Sequence, residues 1–483
     1  MIDTDKDLKN LGCTYQDFVT EKLWCRISST VRGNPANRPL AVVGGKKKRA
    51  GRFAPPAFFM YFCTRINKSV MKKLLYTLCV LGALVSCSKD DDAHDFVPQP
   101  TGRTVIVYIS GENSLSAQVN ANLAEMKDGS KQLGKDDCLL VYVDKSKSTE
   151  LPWMARIRNG QVTDSVSLRD MGISEKDEYA SDPQVMEDVL KYAVRRYPAT
   201  QDYGLVLWGH STGWLINNDS LVYTRAYGVD NGKNNFSNEG KWMNIPTLAR
   251  VLKKLPHMKF IFADCCMFMC LESLYELRSV TDYVIGSPAE IPDYGAPYQT
   301  VVPALFDRDN FATRIVDSYY AQKNGPDKNL DQPMTAVKMS EMEPLAKATR
   351  TILKVVKDRL TTGYADLSGL IYYFYNSPRA FYYPENSMLY DAGDFMRAYA
   401  PEADYKVWKA ALDKAIVKKT YSAQWYTAFK WDEFYGNHFK VTEERQSGVS
   451  IYIPQDTEKD NKPTPHADYQ KDIKKLAWYY AVW

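Results

Sequence analysis

The sequence predicts an α/β fold in which a mostly parallel β-sheet lies between two layers of helices. Short apolar runs rich in β-branched and aromatic residues recur along the first part of the chain, as expected for strands buried on both faces. Helical patterns separate these runs, and this alternation is typical of a three-layer α/β/α sandwich. Ligands bind such a sheet outside the carboxyl ends of its strands, so residues at strand ends are the first candidates for a functional site.

The strands and helices of this sandwich alternate in a regular order. We predict strands over residues 105–110, 139–144, 203–210, 259–265 and 282–287. The clearest helix follows Ser181, where a capping residue and a proline in the first turn precede apolar residues that share one face. Two further helices are predicted over residues 114–133 and 266–277.

Beyond residue 306 the pattern becomes mainly helical. Residues 406–419 are amphipathic, residues 448–454 are predicted to form one further strand, and a final helix ends the chain. We therefore predict an α/β domain over residues 103–306 and a mainly helical region over residues 307–483 that packs on it.

The first 86 residues lack the pattern of a folded domain. Residues 71–86 combine two lysines, a 12-residue apolar run and small residues before Cys87, which is the pattern of a lipoprotein signal peptide. The apolar run is shorter than the roughly 20 residues of a membrane-spanning helix. Because a signal peptide works at the N-terminus, we expect residues 1–70 to be an upstream extension from a start codon placed too early. A basic arm for nucleic acid is the alternative for this segment.

The formal net charge of +4 comes from this leader. Residues 1–86 hold 15 of the 62 Lys and Arg but only 5 of the 58 Asp and Glu, so the chain from Cys87 onward carries a net charge of −6. That balance argues against a nucleic-acid partner. Residues 87–102 are predicted to be an acidic tether that begins at a lipidated Cys87, and their first residues resemble the surface-export signal of Bacteroidetes-type lipoproteins. We expect a lipid anchor in the outer membrane, and the sequence leaves the membrane face open.

The cysteines beyond Cys87 do not form a disulfide or metal-binding pattern. They are Cys138, Cys265, Cys266 and Cys270, and three of them lie within six residues. Adjacent cysteines cannot easily bridge each other, and the sequence has no CxxC pair, histidine cluster or Asp-rich ligand loop. We therefore predict neither a metal site nor a cofactor.

Two of the predicted strands end on reactive side chains. The run LVLWGHSTGW carries His210, and the run MKFIFADCCM carries Asp264 and Cys266. A thiol becomes a strong nucleophile near neutral pH only where a base or a cationic neighbour favours its thiolate, and histidine is the usual partner. The pair predicts covalent cysteine catalysis.

The histidine segment also contains the serine-hydrolase motif G-x-S-x-G, with Ser211 at its centre. That motif requires a helix directly after the serine, and the residues after Gly213 lack a helical period. A serine hydrolase that uses Ser211 is one alternative. A second alternative is a surface binding protein built on an inactive peptidase scaffold.

The two motifs, in this order, resemble the clostripain family of cysteine peptidases, which have a caspase-like fold. WGHSTGW is followed some fifty residues later by a strand that ends in Asp-x-Cys, and residues 243–252 and 285–298 also look like family segments. The resemblance runs from about residue 103 to the end of the chain. One departure is Ser211, which stands where the family commonly has glycine.

The resemblance implies a role for each matching position. His210 would be the general base and Cys266 the nucleophile. We expect Cys266 to begin the predicted helix over residues 266–277, whose N-terminal dipole would favour a thiolate. The backbone amides of Ser211 and Cys266 would form the oxyanion hole.

The resemblance also implies which residues would select the substrate. Asp264 matches the family acid at the base of the pocket for the residue before the cut bond, and Asp293 is a second candidate for the pocket wall. A buried carboxylate there would select arginine or lysine. The alternative role for Asp264 is to cap the helix predicted to begin at Cys266. The expected partner is a protein or peptide with a basic residue before the cut bond, and we expect the enzyme to be a monomer.

Family members are often activated by a cut after a basic residue in the loop between the two catalytic strands. Here that loop spans roughly residues 215–241 and contains Arg225. Its polar character suits an exposed segment, so self-cleavage after Arg225 is predicted.

Overall fold

All the described strands and helices belong to one structural unit, Asp91–Trp483. The computed structural model describes residues 97–146, 151–216, 226–232, 240–321, 332–361, 366–375, 387–427, 439–459, 462–464 and 466–483. The predictions made for residues 1–86, Cys87 and Arg225 therefore lie outside the described residues.

A nine-stranded mixed sheet forms the centre of this unit, and the described residues contain three smaller sheets besides. The strands are β1 (Thr101–Gly111), β2 (Cys138–Lys145), β3 (Trp153–Arg158), β4 (Gln161–Ser167), β5 (Ala199–Trp208), β6 (Tyr227–Asp230), β7 (Lys241–Met243), β8 (Met258–Asp264), β9 (Thr281–Gly286), β10 (Thr335–Lys338), β11 (Tyr372–Tyr375), β12 (Ser387–Asp391), β13 (Ile416–Lys419), β14 (Ser450–Ile451), β15 (Glu458–Lys459) and β16 (Lys462–Pro463). The order in the large sheet is β13-β10-β9-β8-β5-β1-β2-β3-β4.

The five central strands of the large sheet are parallel. They are β9, β8, β5, β1 and β2, and they correspond to the five strands predicted from the sequence. Antiparallel pairs extend the sheet at both edges, with β3 and β4 on one side and β10 and β13 on the other. The prediction of a mostly parallel sheet is confirmed for its centre.

Helices follow most of the parallel strands. In the described residues they are α1 (Ser116–Ser130), α2 (Pro183–Arg196), α3 (Ile245–Leu252), α4 (Leu271–Leu277), α5 (Tyr298–Leu305), α6 (Phe311–Tyr320), α7 (Met342–Thr361), α8 (Ala392–Tyr399), α9 (Glu402–Ala415), α10 (His466–Asp472) and α11 (Ala477–Val482). The helix predicted after Ser181 is α2, and Asp182 caps it by accepting hydrogen bonds from the amides of Gln184 and Val185.

The sheet has an apolar core on each face, as the three-layer prediction requires. Side chains alternate along a strand, so Val105 and Val107 of β1 face one core while Ile106 and Tyr108 face the other. The first core also contains residues of α1, α5 and α6, and the second contains residues of α2, α3 and α4. The α/β/α sandwich is therefore confirmed.

The region after residue 306 differs from its prediction. The sequence predicts one further strand there, but the described residues contain seven, and two of them belong to the large sheet. These strands have two to five residues, too few to show a clear alternation. Residues 406–419 are predicted as a single helix, but the helix α9 ends at Ala415 and the next residues form β13, because pairing with β10 outweighs the helical pattern.

Among the described residues, no helix combines the length and the apolar character needed to cross a lipid bilayer.

Candidate active site

The neighbouring strands β5 and β8 bring the candidate residues to one edge of the sheet. Trp208 of β5 is paired in register with Asp264 of β8. His210 and Cys266 each follow two residues later, so both lie just beyond the carboxyl ends of their strands. A cleft of about 150 Å³ lies at this edge. Its lining includes His210, Asp264, Cys266, Glu290 and Asp293.

His210 is held by contacts on both its ring and its backbone. The ring nitrogen Nε2 lies 2.9 Å from Ser114 Oγ, and the ring centre is 6.4 Å from that of Trp242. The backbone carbonyl of His210 accepts a hydrogen bond of 2.8 Å from the amide of Gly228. The preceding Gly209 has a φ of 143°, and a Cβ there would lie 2.9 Å from the carbonyl oxygen of Ser110. Glycine is therefore required for the chain to turn towards the cleft.

Cys266 presents its sulfur to the same cleft. The residue is partly exposed, and its Sγ accepts a hydrogen bond of 3.4 Å from the amide of Ile291. Burial of the thiol, followed by the negative charge of Glu290, raises its pKa to about 12 against the opposing effect of the amides of Ile291 and Cys266 itself. In the free protein the sulfur is therefore a thiol at neutral pH, and a thiolate needs a nearby positive charge.

The prediction that Cys266 begins a helix is wrong. The helix α4 begins at Leu271, and the segment before it is irregular, with a φ of 54° at Met267. The amides of Met267 and Met269 donate to the carbonyls of Ala289 and Ser287, so contacts with the loop after β9 replace the helical bonds. The dipole of α4 therefore does not act at Cys266 to favour a thiolate, and Asp264 does not cap this helix.

The other three cysteines of the described chain lie away from the cleft. Cys138, Cys265 and Cys270 are fully buried in the core, and all four described cysteines are free of disulfides. Cys270 Sγ lies 3.1 Å from Ser273 Oγ. Burial raises the pKa of Cys138 and of Cys270 to about 12, and that of Cys265 well above its usual value. Cys266 is the cysteine that a substrate entering the cleft would meet.

Ser211 has a buried hydroxyl and does not line the cleft. The residue is 3% exposed, and its Oγ accepts a hydrogen bond of 3.2 Å from the amide of Gly213. Ser211 forms an antiparallel bridge with Tyr227, and the next helix in the described chain is α3. This is not the strand-turn-helix geometry of a serine nucleophile. In this bridge, the residues on either side of Ser211 make the hydrogen bonds. In that kind of pairing the amide of Ser211 itself points away from Tyr227.

Asp264 is a buried carboxylate tied to the segment after β9. The residue is 3% exposed, and its Oδ2 accepts hydrogen bonds from the amide of Ala296 (3.1 Å) and the hydroxyl of Tyr298 (2.8 Å). Its Oδ1 has a longer contact of 3.4 Å with the hydroxyl of Tyr319. Burial raises the pKa of Asp264 to about 6, against the opposing effect of these donors, and the charge of Glu125 adds to the rise.

The second predicted pocket residue, Asp293, lies on the exposed wall of the cleft. Its Oδ2 accepts a hydrogen bond of 3.1 Å from Gln118 Nε2. Glu290 is partly buried on the same wall. The structure thus groups His210, Cys266, Asp264 and Asp293 around one cleft, with Ser211 beside it.

The fold and this cleft agree with a comparison against protein families. The model of the clostripain family, peptidase C11, matches residues 107–483. The chain belongs to the clostripain family of cysteine peptidases. A match over this much of the chain includes the strands β5 and β8, the cleft and the helices at the C-terminus.

Solved structures of C11 proteases are similar to this clostripain-family enzyme. A C11 protease from Parabacteroides distasonis, described as an inactive zymogen, is 27% identical and has a TM-score of 0.63, with 80% of this chain and 100% of that chain covered. A secreted C11 cysteine protease from Bacteroides thetaiotaomicron, bound to an irreversible peptide inhibitor, is 28% identical with a TM-score of 0.60, covering 79% and 98%. A second secreted C11 protease from that organism, at 19% identity and a TM-score of 0.59, is similar in fold. No match was found among curated protein sequences.

The sequence analysis missed Ser114, which contacts His210, and Glu290, which lines the cleft of this clostripain-family enzyme. Ser114 follows β1, whose carboxyl end lies beside that of β5, so its position after a central strand could have indicated it. Glu290 lies in the segment after β9, where no local pattern separates it from Asp293.

Proposed function

We propose that this clostripain-family peptidase cleaves peptide bonds after arginine or lysine with His210 and Cys266 as its catalytic pair. The observation that carries the proposal is the shared cleft, in which an imidazole, a partly exposed thiol and a buried carboxylate meet at the ends of two paired strands. Of the described cysteines, Cys266 alone lines it.

The chemistry begins with a proton transfer. Since the thiol of Cys266 has a raised pKa, its proton must pass to His210, and the resulting imidazolium then stabilises the thiolate. Ser114 Oγ lies 2.9 Å from Nε2 of the ring and helps to fix its orientation. Ser114 therefore acts as a positioning residue for the histidine.

The thiolate then attacks the carbonyl carbon of the bond to be cut. A carbon–sulfur bond forms, and the negative charge on the carbonyl oxygen is stabilised by the amides of Ser211 and Cys266, of which the Ser211 amide is directed away from its bridge partner. The imidazolium gives its proton to the leaving amine as the carbon–nitrogen bond breaks. Water, deprotonated by His210, hydrolyses the thioester and regenerates the thiol.

Asp264 would bind the basic side chain before the cut bond. Its Oδ2 already accepts two hydrogen bonds. Among the described residues Oδ1 has only the long contact with Tyr319, so it can accept from a guanidinium or ammonium group. The acidic side chains of Glu290 and Asp293 on the wall would add to the attraction for a cation.

Fluorogenic peptides that differ only in the residue before the cut bond test this proposal. We expect the wild-type enzyme to cleave the Arg and Lys peptides and to leave the Leu and Glu peptides almost intact. Cys266→Ala should abolish cleavage, whereas Ser211→Ala should retain most of it because the proposed role of Ser211 uses its backbone. Activity that survives in Cys266→Ala but is lost in Ser211→Ala would establish the serine-hydrolase alternative.

We propose in addition that the enzyme is exported and held in the outer membrane by lipid on Cys87. The signal-peptide pattern of residues 71–86 supports this location, and the similar proteases from Bacteroides thetaiotaomicron are described as secreted. In this proposal residues 87–102 form the tether, residues 103–306 contain the catalytic pair, and residues 307–483 complete the fold.

Self-cleavage after Arg225 is part of the proposal, since a similar protease is described as an inactive zymogen. Wild-type protein should resolve into two fragments on a denaturing gel, while Cys266→Ala and Arg225→Ala should each remain one chain. Identical fragments in the wild type and in Cys266→Ala would instead indicate cutting by another protease.

A further inference from the structure

Glu290 lies beside the nucleophile, and the proposed reaction gives it no role beyond attracting a cation. The residue is partly buried and lines the cleft together with Cys266. Its neighbour Ile291 donates its amide to Sγ of Cys266 at 3.4 Å, and the carbonyl oxygen of Ile291 lies 3.9 Å from the same sulfur. The chain therefore places the Glu290 carboxylate on the cleft wall next to the thiol.

Hydrogen bonds fix the segment of Glu290 relative to the nucleophile. The carbonyl oxygen of Glu290 accepts a hydrogen bond from Nε2 of the buried Gln332. The carbonyl oxygen of the preceding Ala289 accepts one of 2.8 Å from the amide of Met267, which directly follows Cys266. These contacts tie the loop after β9 to the loop after β8, so the backbone of Glu290 is held close to that of the nucleophile.

The cleft is predominantly negative around the sulfur. The titratable side chains that line it or act on the thiol are those of His210, Asp264, Glu290, Asp293, Tyr319 and Tyr426. Three of these are carboxyl groups, and of the described residues that line the cleft His210 alone can carry a positive charge. Burial raises the pKa of the thiol most, the charge of Glu290 comes next, and that of Asp264 adds less. A thiolate is therefore disfavoured in the free enzyme.

We propose that Glu290 makes the reactivity of Cys266 depend on the charge of the substrate. In the free enzyme the Glu290 carboxylate suppresses the thiolate, and the guanidinium or ammonium group of a bound substrate screens that carboxylate and releases the suppression. The inference rests on the proposed function, because it requires a basic side chain to enter this cleft.

The position of the two acidic residues directs the effect of the cation to the sulfur. Asp264 precedes Cys266 by two residues, and Glu290 adjoins the residue whose amide contacts Sγ. His210 lies on the segment after β5, where its ring contacts Ser114. We therefore expect a cation held by the two carboxylates to act more strongly on the thiol than on the imidazole. A charge of opposite sign within about 4–6 Å typically shifts a pKa by one to three units.

This arrangement makes Glu290 a specificity-determining residue for the rate of the chemical step. Coupling between two bound groups is reciprocal, so a cation that favours the thiolate is itself bound more tightly by the ionised enzyme, by the same factor. A peptide with a neutral residue before the cut bond would meet a protonated sulfur even where it fits the cleft. Basic substrates are therefore preferred in kcat as well as in KM.

Alkylation of the full chain by iodoacetamide, followed as a function of pH, tests the inference without any peptide substrate. The thiolate displaces iodide from this neutral reagent, so the pH midpoint of the rate on Cys266 reports its ionisation. Peptide mass spectrometry assigns the adduct to Cys266. Methylguanidinium is the cationic probe, and N-methylurea is a neutral probe of similar size. We expect methylguanidinium to lower the wild-type midpoint by about one pH unit and N-methylurea to leave it unchanged.

Three variants separate the charge of Glu290 from its place in the fold. Glu290→Gln should lower the midpoint by about one pH unit without any cation, and should respond less to methylguanidinium. Glu290→Asp keeps the charge and should stay near the wild-type midpoint. Asp128→Asn, which removes an exposed carboxylate on α1, is the matched control and should behave as the wild type does.

Two results would overturn the inference alone. One is a midpoint that is the same in the wild type and in Glu290→Gln, and the other is an equal effect of methylguanidinium and N-methylurea on the wild type. Neither affects the assignment of His210 and Cys266, which cleavage of the Arg and Lys peptides tests separately. A folded wild-type protein in which Cys266 is not alkylated at any pH would contradict the proposed function and the inference together.

Discussion

At the scale of single residues, Asp264 is a buried carboxylate whose environment the fold alone does not explain. A carboxylate that is 3% exposed and has a pKa raised to about 6 costs stability whenever it is ionised. The proposed cap role that would have offset this cost is excluded, because α4 begins at Leu271. In the proposed function, a cationic substrate side chain that binds Oδ1 would offset this cost.

Asp264→Asn should weaken binding of the basic substrate side chain while the fold is kept. Asparagine can keep the hydrogen bonds from Ala296 and Tyr298 with its oxygen, but it carries no charge. We expect kcat/KM for Arg peptides to fall roughly 10- to 100-fold, as for the loss of a hydrogen bond to a charged group. Asp293→Asn, on the exposed wall, is the matched control and should change it less. An Arg preference that is unaltered in Asp264→Asn would remove Asp264 from the pocket.

The same substitution should stabilise the protein at neutral pH. The pKa of Asp264 is raised from 3.8 to about 6 in the folded state, so its ionisation lowers stability as the pH rises through this interval. Urea unfolding should find Asp264→Asn more stable than the wild type by up to about 3 kcal/mol above pH 6. The difference should disappear below about pH 4, where the carboxyl is protonated in both states. A stability difference that does not change with pH would contradict the raised pKa.

At the scale of elements, the segments at the strand ends were harder to predict than the strands. The five parallel strands were predicted because buried strands have continuous apolar sequences. The run after Asp264 was predicted as a helix because CCMFMCLESLYEL is apolar with helical spacing, yet Met267 and Met269 bond to a loop about twenty residues away. Such nonlocal contacts leave no local pattern. The edge strand β13 was missed for the same reason.

Because no helix begins at Cys266, the proposed mechanism makes the thiol dependent on His210. With no helix N-terminus to favour the thiolate, replacement of His210 by Ala should lower kcat about 10²- to 10⁴-fold. Ser114→Ala should lower kcat about two- to tenfold with little change in KM, as expected for one lost hydrogen bond that positions the ring. Ser114→Thr keeps the hydroxyl and should restore much of the rate. An equal loss in Ala and Thr variants would indicate a role in folding and not in positioning.

At the scale of the whole molecule, the fold was predicted from the alternating strand and helix patterns and the family from the two strand-end motifs, and both are confirmed. The cluster of carboxylates around Asp144 was not predicted, because Glu112, Asp144 and Asp177 are spread over 66 residues of sequence. A signal was present in Glu112, which follows β1, and in Asp144, which lies near the end of β2. It became visible only when the sheet placed β1 beside β2.

The proposed anchor makes a prediction about the mature chain. Protein purified from membranes should begin at Cys87 and carry the mass of a lipid modification, because residues 1–86 would be removed or never translated. Intact mass spectrometry measures both. Cys87→Ala should appear in the soluble fraction with its proteolytic activity retained. A mature chain that begins before Cys87 would rule out the lipoprotein proposal.

The central claim is that Cys266, assisted by His210, attacks substrates that have a basic residue before the cut bond. Its most direct test is to treat the protein with a lysine acyloxymethylketone and to locate the adduct by peptide mass spectrometry. The account predicts one adduct per chain, on Cys266, absent in Cys266→Ala and strongly reduced in His210→Ala and Asp264→Asn. An adduct on Cys265 or Ser211, or no adduct on a correctly folded wild-type enzyme, would contradict it.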